Sequence, residues 1–212
     1  MTALEGPVGS AATAALRGEL IVFPTETVYG LGTRPDDPVA TARVFEVKSR
    51  PRDLELPVLV ADTVAARAVA VFDERAEHLA EALWPGPLTL VLPRGADASG
   101  WDLGGDPATI GVRAPRHRLA LAVLAATGPL AVTSANRSGG SPARTCDELH
   151  RLFGDDVAVY LCQEEPLEAA PSTVLDLAHG PARVLRAGAL PRQTLARLLP
   201  AEPSLLDSRP SS

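Results

Sequence analysis

The chain has 212 residues, 46% of them hydrophobic, and carries a formal net charge of −6. A chain of this length is long enough for one large domain with a substantial core. It contains no run of roughly 18 apolar residues, and its N-terminal segment lacks the pattern of a secretory signal, so we expect neither a transmembrane helix nor a leader. The acidic balance argues against a general nucleic-acid binder, which needs a basic surface.

In chain order, helical and strand patterns alternate. The predicted elements are a helix at 11–18, a strand at 19–23, a helix at 38–48, a strand at 56–61, helices at 63–70 and 73–84, strands at 87–93 and 108–114, a helix at 117–127, a strand at 130–134, a helix at 145–153, strands at 157–161, 172–177 and 182–187, and a helix at 190–199. Such alternation is typical of the α/β class. The connections between the last three strands are too short for helical crossovers, so we expect a mixed parallel and antiparallel sheet.

We expect one domain over residues 8–198. The remaining segment, 199–212, is rich in Pro and Ser, and we expect it to be a disordered tail. Thr145 and Glu148 form a capping box at the start of the helix at 145–153.

The two cysteines, Cys146 and Cys162, have no metal-ligand spacing and are too few for a disulfide framework. We expect two neutral or buried thiols in a reducing cytoplasm. The four histidines are scattered, so no protein-held zinc site is expected. A complete dinucleotide fingerprint, a P-loop and a nucleophile elbow are all missing from the sequence.

The stretch at 23–33 reads FPTETVYGLGT and follows the predicted strand at 19–23. Thr25, Glu26, Thr27 and Tyr29 crowd hydrogen-bonding groups into five positions, and two glycines follow. Ligands of open α/β sheets bind in the crevice at strand ends. We therefore expect this stretch to leave the sheet at the rim of a pocket.

Two further segments are candidates for phosphate binding. Lys48 and Arg50, in KSRP, either complement the dipole of the preceding helix or grip one polyphosphate, the Arg as a bidentate fork and the Lys as a point charge. The stretch TSANRSGGS at 133–141 is either a polar loop or a phosphate-gripping turn whose glycines let backbone N–H groups approach the ligand.

Arg113 lies inside an apolar strand, where a charge needs a partner. Either it forms a structural ion pair, or it meets the carboxylate or phosphate of a ligand. We expect His117 to cap or pack against the next helix, and WPGP at 84–87 to be a rigid turn with a packed indole.

Seven stretches, taken in order and spacing, resemble the YrdC family, the L-threonylcarbamoyladenylate synthases. They are FPTETVYGLG, KSRP, WPGPLTLVL, TIGVRAP, TSANRSG, PSTV and VLRAG, and the resemblance covers about residues 17–198. It implies an open, twisted α/β sheet with flanking helices and a central cavity. It also implies a reaction in which L-threonine, bicarbonate or CO2, and ATP with Mg²⁺ give L-threonylcarbamoyladenylate and pyrophosphate. A downstream transferase complex then passes the threonylcarbamoyl group to tRNA, and a weak tRNA contact by the synthase is compatible with this.

The same resemblance implies roles for individual residues. Lys48 and Arg50 would be the catalytic pair at the ATP phosphates. The nucleotide-binding positions would be Lys48, Arg50, Thr109, Ser134, Asn136, Ser141 and Arg186. The threonine-binding positions would be Thr25, Thr27, Tyr29, Arg113 and Ser172. The protein would hold no metal itself, since Mg²⁺ comes with ATP, and Glu26 would be structural, turned back to cap local N–H groups.

The sequence departs from the family pattern at several positions. Leu54 replaces a polar nucleotide contact, Glu55 a proline, and Leu59 a histidine near the threonine, while residues 163–165 replace a glycine-rich segment. These changes leave nucleotide affinity and amino-acid choice open. Two other interpretations therefore remain: a paralogue that makes the carbamoyl-adenylate of another acceptor, and an RNA-binding or ribosome-assembly module.

Overall fold

The computed structural model describes residues 6–167, 170–202 and 205. The α-helices and β-strands of this part of the chain are α1 (Gly6–Leu16), β1 (Ile21–Pro24), β2 (Tyr29–Thr33), α2 (Pro38–Lys48), β3 (Val58–Leu59), α3 (Thr63–Val69), α4 (Glu74–Leu83), β4 (Leu88–Pro93), β5 (Thr109–Arg113), α5 (Arg118–Thr127), β6 (Leu130–Ser134), α6 (Cys146–Phe153), β7 (Val159–Tyr160), β8 (Thr173–Asp176), β9 (Arg183–Arg186) and α7 (Arg192–Leu198). Every predicted helix and strand has a counterpart among them.

The strands form one sheet in the order β7-β1-β2-β6-β3-β5-β4-β8-β9. Three neighbouring pairs are parallel, β1 with β7, β3 with β5, and β4 with β8. The other five pairs are antiparallel. The expected mixed α/β sheet with flanking helices is therefore confirmed.

The stretch FPTETVYGLGT is a β-hairpin whose turn at residues 25–28 leaves the sheet as expected, whereas residues 29–33 form a strand that was not predicted. β1 pairs antiparallel with β2, so the glycines lie inside a strand. A Cβ atom on Gly30 would approach Val132 Cγ1 to 2.6 Å, and one on Gly32 would approach Val132 Cγ2 to 2.8 Å. These glycines allow β2 to pack closely against β6. Glycine is also common in loops, so in the sequence alone the two residues suggest a loop rather than a strand.

Apolar side chains pack on both faces of the sheet. Helices α1 and α5 cover part of one face, where Ala15 and Val123 belong to the same cluster as Leu59 and Val132. The other face carries the larger cluster, to which α2, α3, α4 and α6 contribute. Burial on both faces explains why most strands are nearly continuous apolar runs in the sequence.

The two cysteines are bonded to each other, which corrects the expectation of two thiols. Cys146 is the first residue of α6 and Cys162 follows β7, and their Cα atoms are 5.7 Å apart. The fold brings β7 back beside the start of α6, and the spacing of two cysteines in a sequence carries no information on such proximity.

The expected caps at His117 and Thr145 and the expected WPGP turn are confirmed, but the Glu148 half of the capping box differs from the expectation. His117 is the N-cap of α5, and its Nδ1 accepts a hydrogen bond from the Leu119 N–H. Thr145 caps α6 by accepting from the Glu148 N–H, while the Glu148 side chain accepts from Arg144 N–H rather than from the cap residue. The Trp84 indole donates to Leu88 O at 2.7 Å, so the WPGP turn is closed by its own ring.

The predicted tail at 199–212 falls largely outside the described residues. Of those described, Leu199 and Leu205 are buried, and Glu202 pairs with Arg75 at 2.8 Å. This part of the segment packs on the domain. Within the described ranges, no helix combines the length and apolar character needed to cross a membrane.

Candidate functional site

A cavity of about 90 Å³ lies on the face of the sheet beside α1 and α5. Gly30, Val132, Leu59, Arg113 and Thr89 line it, and they belong to five adjacent strands, β2, β6, β3, β5 and β4. The cavity therefore crosses several strands and lies where they end, since Leu59, Arg113 and Ser134 are the last residues of β3, β5 and β6, in agreement with the expectation of a crevice at the strand ends.

Half of the predicted site residues line this cavity. Those that do are Thr25, Arg50, Arg113, Ser134, Ser172 and Arg186. The lining does not include Thr27, Tyr29, Lys48, Thr109, Asn136 and Ser141. Of this second set, Thr27, Lys48 and Asn136 contact lining residues directly.

The hairpin turn forms one wall. Thr25 Oγ1 donates to Val28 O at 2.6 Å and accepts from the N–H groups of Thr27 and Val28, which satisfies the turn locally. Thr25 and Thr27 share a hydroxyl–hydroxyl hydrogen bond of 2.9 Å. Of this turn, Thr25 and Val28 line the cavity, and neither adds a charge to it.

Tyr29 is not on this wall. Because side chains alternate along a strand and Gly30 faces the cavity, the Tyr29 ring lies on the other face, fully buried in the larger cluster. Its hydroxyl accepts a hydrogen bond from the Gln163 N–H at 3.2 Å. Tyr29 therefore supports the segment at 163–165.

Arg113 at the end of β5 is buried and held on three sides. Its Nε donates to Gly86 O and its Nη2 to Thr27 Oγ1, while Nη2 lies 2.8 Å from Glu26 Oε1. Burial lowers the pKa of Arg113, and the Glu26 carboxylate opposes this. Glu26 also accepts from Arg116 N–H at 2.9 Å, so it caps a local N–H group as expected and in addition orients Arg113.

Arg186 lies at the opposite rim and is held by one residue. Its Nε and Nη2 donate to Ser172 O, and Nη2 also donates to Ser172 Oγ at 3.0 Å. Ser172 Oγ in turn lies 2.9 Å from Thr89 Oγ1. Burial first, then the charges of Arg113 and Arg50, lower the pKa of Arg186.

Arg50 is positioned by the segment that departs from the family pattern. Its Nε donates to Leu54 O and its Nη2 to Glu55 O. The Glu55 side chain points to Arg94 at 3.5 Å, away from the cavity, and burial raises the pKa of Glu55 to about 8. The Leu54 and Glu55 substitutions thus leave the backbone acceptors that hold Arg50 in place.

Lys48 lies beneath the loop at 134–140. Its Nζ donates to Ser134 O and Asn136 O, both at 2.5 Å, and to Asn136 Oδ1 at 3.0 Å. The Asn136 amide donates to Arg137 O and Gly140 O, so hydrogen bonds within the turn fix its conformation. Burial, then the charges of Arg50 and Arg137, lower the pKa of Lys48 to about 7.

Two predicted nucleotide contacts lie elsewhere. Thr109 is at the start of β5, the far end from Arg113, and its hydroxyl donates to Asp106 O. Ser141 is exposed and directly follows the turn that the Asn136 amide holds. The position of Thr109 does not support a nucleotide contact.

Thr89 is a cavity residue that sequence reasoning missed. It lies in the apolar run LTLVLP of β4 and is buried. The sequence signal for it is a single hydroxyl residue among alternating leucines. Leu88, Leu90 and Leu92 pack in the core on one face of the sheet, so Thr89 lies on the other face, toward the cavity.

Comparison with known proteins finds relatives in sequence and in fold. The family model Sua5_yciO_yrdC, described as "Telomere recombination", matches residues 13–188. A relative from Mycobacterium tuberculosis, named "Putative threonylcarbamoyl-AMP synthase", is 38% identical over 192 residues, covering 90% of this chain and 88% of the relative.

Two solved structures are also similar. Sua5 of Pyrococcus abyssi complexed with L-threonine is 36% identical, with a TM-score of 0.81 over 89% of this chain and 56% of that one. YciO of Escherichia coli is 25% identical, with a TM-score of 0.82 over 89% of this chain and 92% of that one. With the family model spanning most of its length and its sheet shared by both structures, the chain belongs to the Sua5/YciO/YrdC family.

Proposed function

We propose that this protein makes L-threonylcarbamoyladenylate from L-threonine, bicarbonate or CO2, and ATP, with release of pyrophosphate. One observation carries the proposal: Arg50, Arg113 and Arg186 converge on a single cavity that is otherwise walled by hydroxyl and apolar groups. Such a cavity fits a ligand with several negative charges and a small polar part. The name of the mycobacterial relative and the threonine bound to the archaeal Sua5 support the choice of substrate.

The amino acid is assigned to the side of Arg113. Glu26 and Gly86 O fix this guanidinium from behind, and no partner among the described residues occupies its Nη1, which leaves that nitrogen for a carboxylate. Thr25, Thr27 and Ser172 supply neutral hydroxyls on the same side, with Tyr29 supporting the wall from the opposite face. Hydroxyls orient a small polar substrate without competing for the cation.

The nucleotide is assigned to the side of Arg50, Ser134 and Arg186. Asn136 and Lys48 shape the turn that presents Ser134, and Ser141 follows on the same loop. Mg²⁺ is assigned to the ATP phosphates that carry it. We leave Thr109 out of this set.

The chemistry then depends on positioning. The threonine amine bonds to the carbon of CO2, or of bicarbonate with loss of water, and gives a carbamate. A carbamate oxygen attacks the α-phosphorus of ATP, and the bond to pyrophosphate breaks. Holding the two reactants together lowers the activation free energy by up to roughly 7–11 kcal/mol. The arginines stabilise the charge that develops on the phosphate. The adenylate would pass to a downstream transferase complex that modifies tRNA, and a weak tRNA contact is part of this proposal.

The test is the mass of the product. The protein is incubated with ATP, Mg²⁺, bicarbonate and a panel of amino acids, and we expect a threonine adduct with release of pyrophosphate. An adduct with another acceptor would identify the paralogue, whereas salt-sensitive RNA binding without any adduct would identify the binding module.

A matched pair of variants tests the site itself. Arg50→Ala should lower pyrophosphate release about 100-fold, because it removes a preorganised cation from the developing phosphate charge. Arg43→Ala removes an exposed arginine that pairs with Asp156 at 3.3 Å and should leave turnover unchanged. Equal turnover by both variants would remove Arg50 from the site.

A further inference from the structure

Thr89 is a buried hydroxyl that the proposed reaction has not yet used. Leu88 and Leu90 on either side of it pack into the core, so Thr89 faces the cavity. Its hydroxyl lies 2.9 Å from Ser172 Oγ, its one hydrogen-bond partner among the described residues. A buried hydroxyl group costs free energy unless its hydrogen-bonding capacity is used.

The strand register places Thr89 between two residues of the proposed amino-acid site. β4 and β5 are antiparallel with Leu90 opposite Val112, which brings Thr89 opposite Arg113 on the same face. On its other side β4 runs parallel to β8, which begins directly after Ser172. The nucleotide residue Ser134 is on β6, separated from β5 by β3.

Counting protons shows what the pair can do. Two hydroxyls have two protons, and the bond between Thr89 and Ser172 uses one of them. Ser172 Oγ also accepts from Arg186 Nη2, which takes up an acceptor site and no proton. Whichever hydroxyl donates to the other, one O–H remains without an acceptor among the described residues. That donor lies beside Arg113 on the cavity face.

We propose that Thr89 is a positioning residue that, together with Ser172, presents a single O–H donor to the amino acid whose carboxylate Arg113 binds. The inference rests on the proposed function. Thr89 fixes the direction of the Ser172 hydroxyl, so the affinity for the amino acid should depend on Thr89 far more than the affinity for ATP, because Arg186 on the nucleotide side is also held by two hydrogen bonds to Ser172 O.

The test compares two Thr89 variants with the wild-type protein in the synthesis assay. Thr89→Val removes the hydroxyl at nearly constant volume, and it should raise the threonine KM about tenfold, the effect of one buried hydrogen bond. The ATP KM should change less than about twofold. Thr89→Ser keeps the hydroxyl and should restore the threonine KM.

Thr33→Val is the matched control. Thr33 is fully buried on β2, outside the cavity lining, and its Oγ1 has no hydrogen-bond partner among the described residues. Its replacement should change neither KM. Thermal unfolding of each variant separates loss of fold from loss of binding.

A double-mutant cycle with Ser172→Ala keeps the proposal testable if Thr89→Val is unstable. Thr89→Ala is then the second way to remove the hydroxyl, and combined with Ser172→Ala it should raise the threonine KM by less than the product of the two single effects, because either change alone breaks the hydrogen bond between the two hydroxyls. Equal rises in both KM values, or a Thr89→Ser variant as impaired as Thr89→Val, would overturn the proposal. A wild-type protein that forms no adduct would instead overturn the proposed function, and this inference with it.

Discussion

As the pH rises, the wild-type protein should lose nucleotide affinity and gain stability, and replacing Lys48 by Met should largely remove both trends. The ammonium group of Lys48 donates to three acceptors, two carbonyl oxygens and Asn136 Oδ1, beneath the turn that presents Ser134. A neutral amine has only two N–H groups for those acceptors. Met keeps the length of the apolar stem and removes the titrating group.

The magnitudes follow from the lowered pKa. With a pKa of about 7, Lys48 is about 90% charged at pH 6 and about 10% charged at pH 8. If only the charged form holds the turn, the apparent Kd rises about tenfold between these values. The affinity thus falls as the pH rises, whereas the stability of the fold increases. Between the folded pKa of about 7 and the ordinary value of 10.5, the unfolded chain binds more protons, so the unfolding free energy rises with pH by up to about 5 kcal/mol.

The assay is calorimetric titration with a non-hydrolysable ATP analogue at pH 6 and pH 8, beside urea unfolding at pH 7 and pH 10. The wild-type protein should bind more weakly and become more stable as the pH rises. Lys48→Met lacks the titration of Lys48, so its affinity should vary much less. Identical pH dependence in the two proteins would refute the idea that Lys48 holds the turn through its charge.

Three further changes test other parts of the structure. Arg113→Ala should raise the threonine KM about 100-fold and the ATP KM hardly at all, because it removes the charged partner of a carboxylate; equal effects would contradict the clamp. Because the raised pKa of Glu55 favours the neutral folded form, the unfolding free energy of the wild-type protein should fall by up to about 5 kcal/mol between pH 4.5 and about 8. Glu55→Gln should remove this fall in urea unfolding, and parallel curves for the two proteins would contradict the reasoning. Serine at both Cys146 and Cys162 should lower the unfolding free energy by about 3 kcal/mol, and wild type with reductant should match that variant; an unchanged midpoint would show that the bond contributes nothing.

The regular elements could be predicted because their patterns are local. Helix periodicity, the cap at Thr145 and the apolar strands all depend on residues close together in the chain. β2 was missed for a non-local reason, since Gly30 and Gly32 are required by the approach of β6, which lies about 100 residues further along.

The motifs predicted several of the residues that line the cavity, but not the face of the sheet on which each side chain lies. Arg50, Arg113, Ser134 and Arg186 are brought together as the motifs implied. The face on which a side chain lies depends on strand register, which a motif does not specify. For this reason Tyr29 was assigned to the cavity and Thr89 was overlooked, although both lie on strands next to predicted contacts.

The order of the strands beneath the cavity has a consequence for folding. The five strands at its centre come from the chain in the spatial order second, sixth, third, fifth and fourth. These five strands span residues 29–134, so no shorter fragment of the chain contains them, and the cavity exists only once most of their long-range strand pairs have formed. Ligand binding should then act on the cooperative unfolding of the whole sheet, with a stabilisation that grows as RT ln(1 + [L]/Kd). Occupancy of this cavity is thus a direct report of complete folding, and a saturating ligand should protect β8 from proteolysis as effectively as β2.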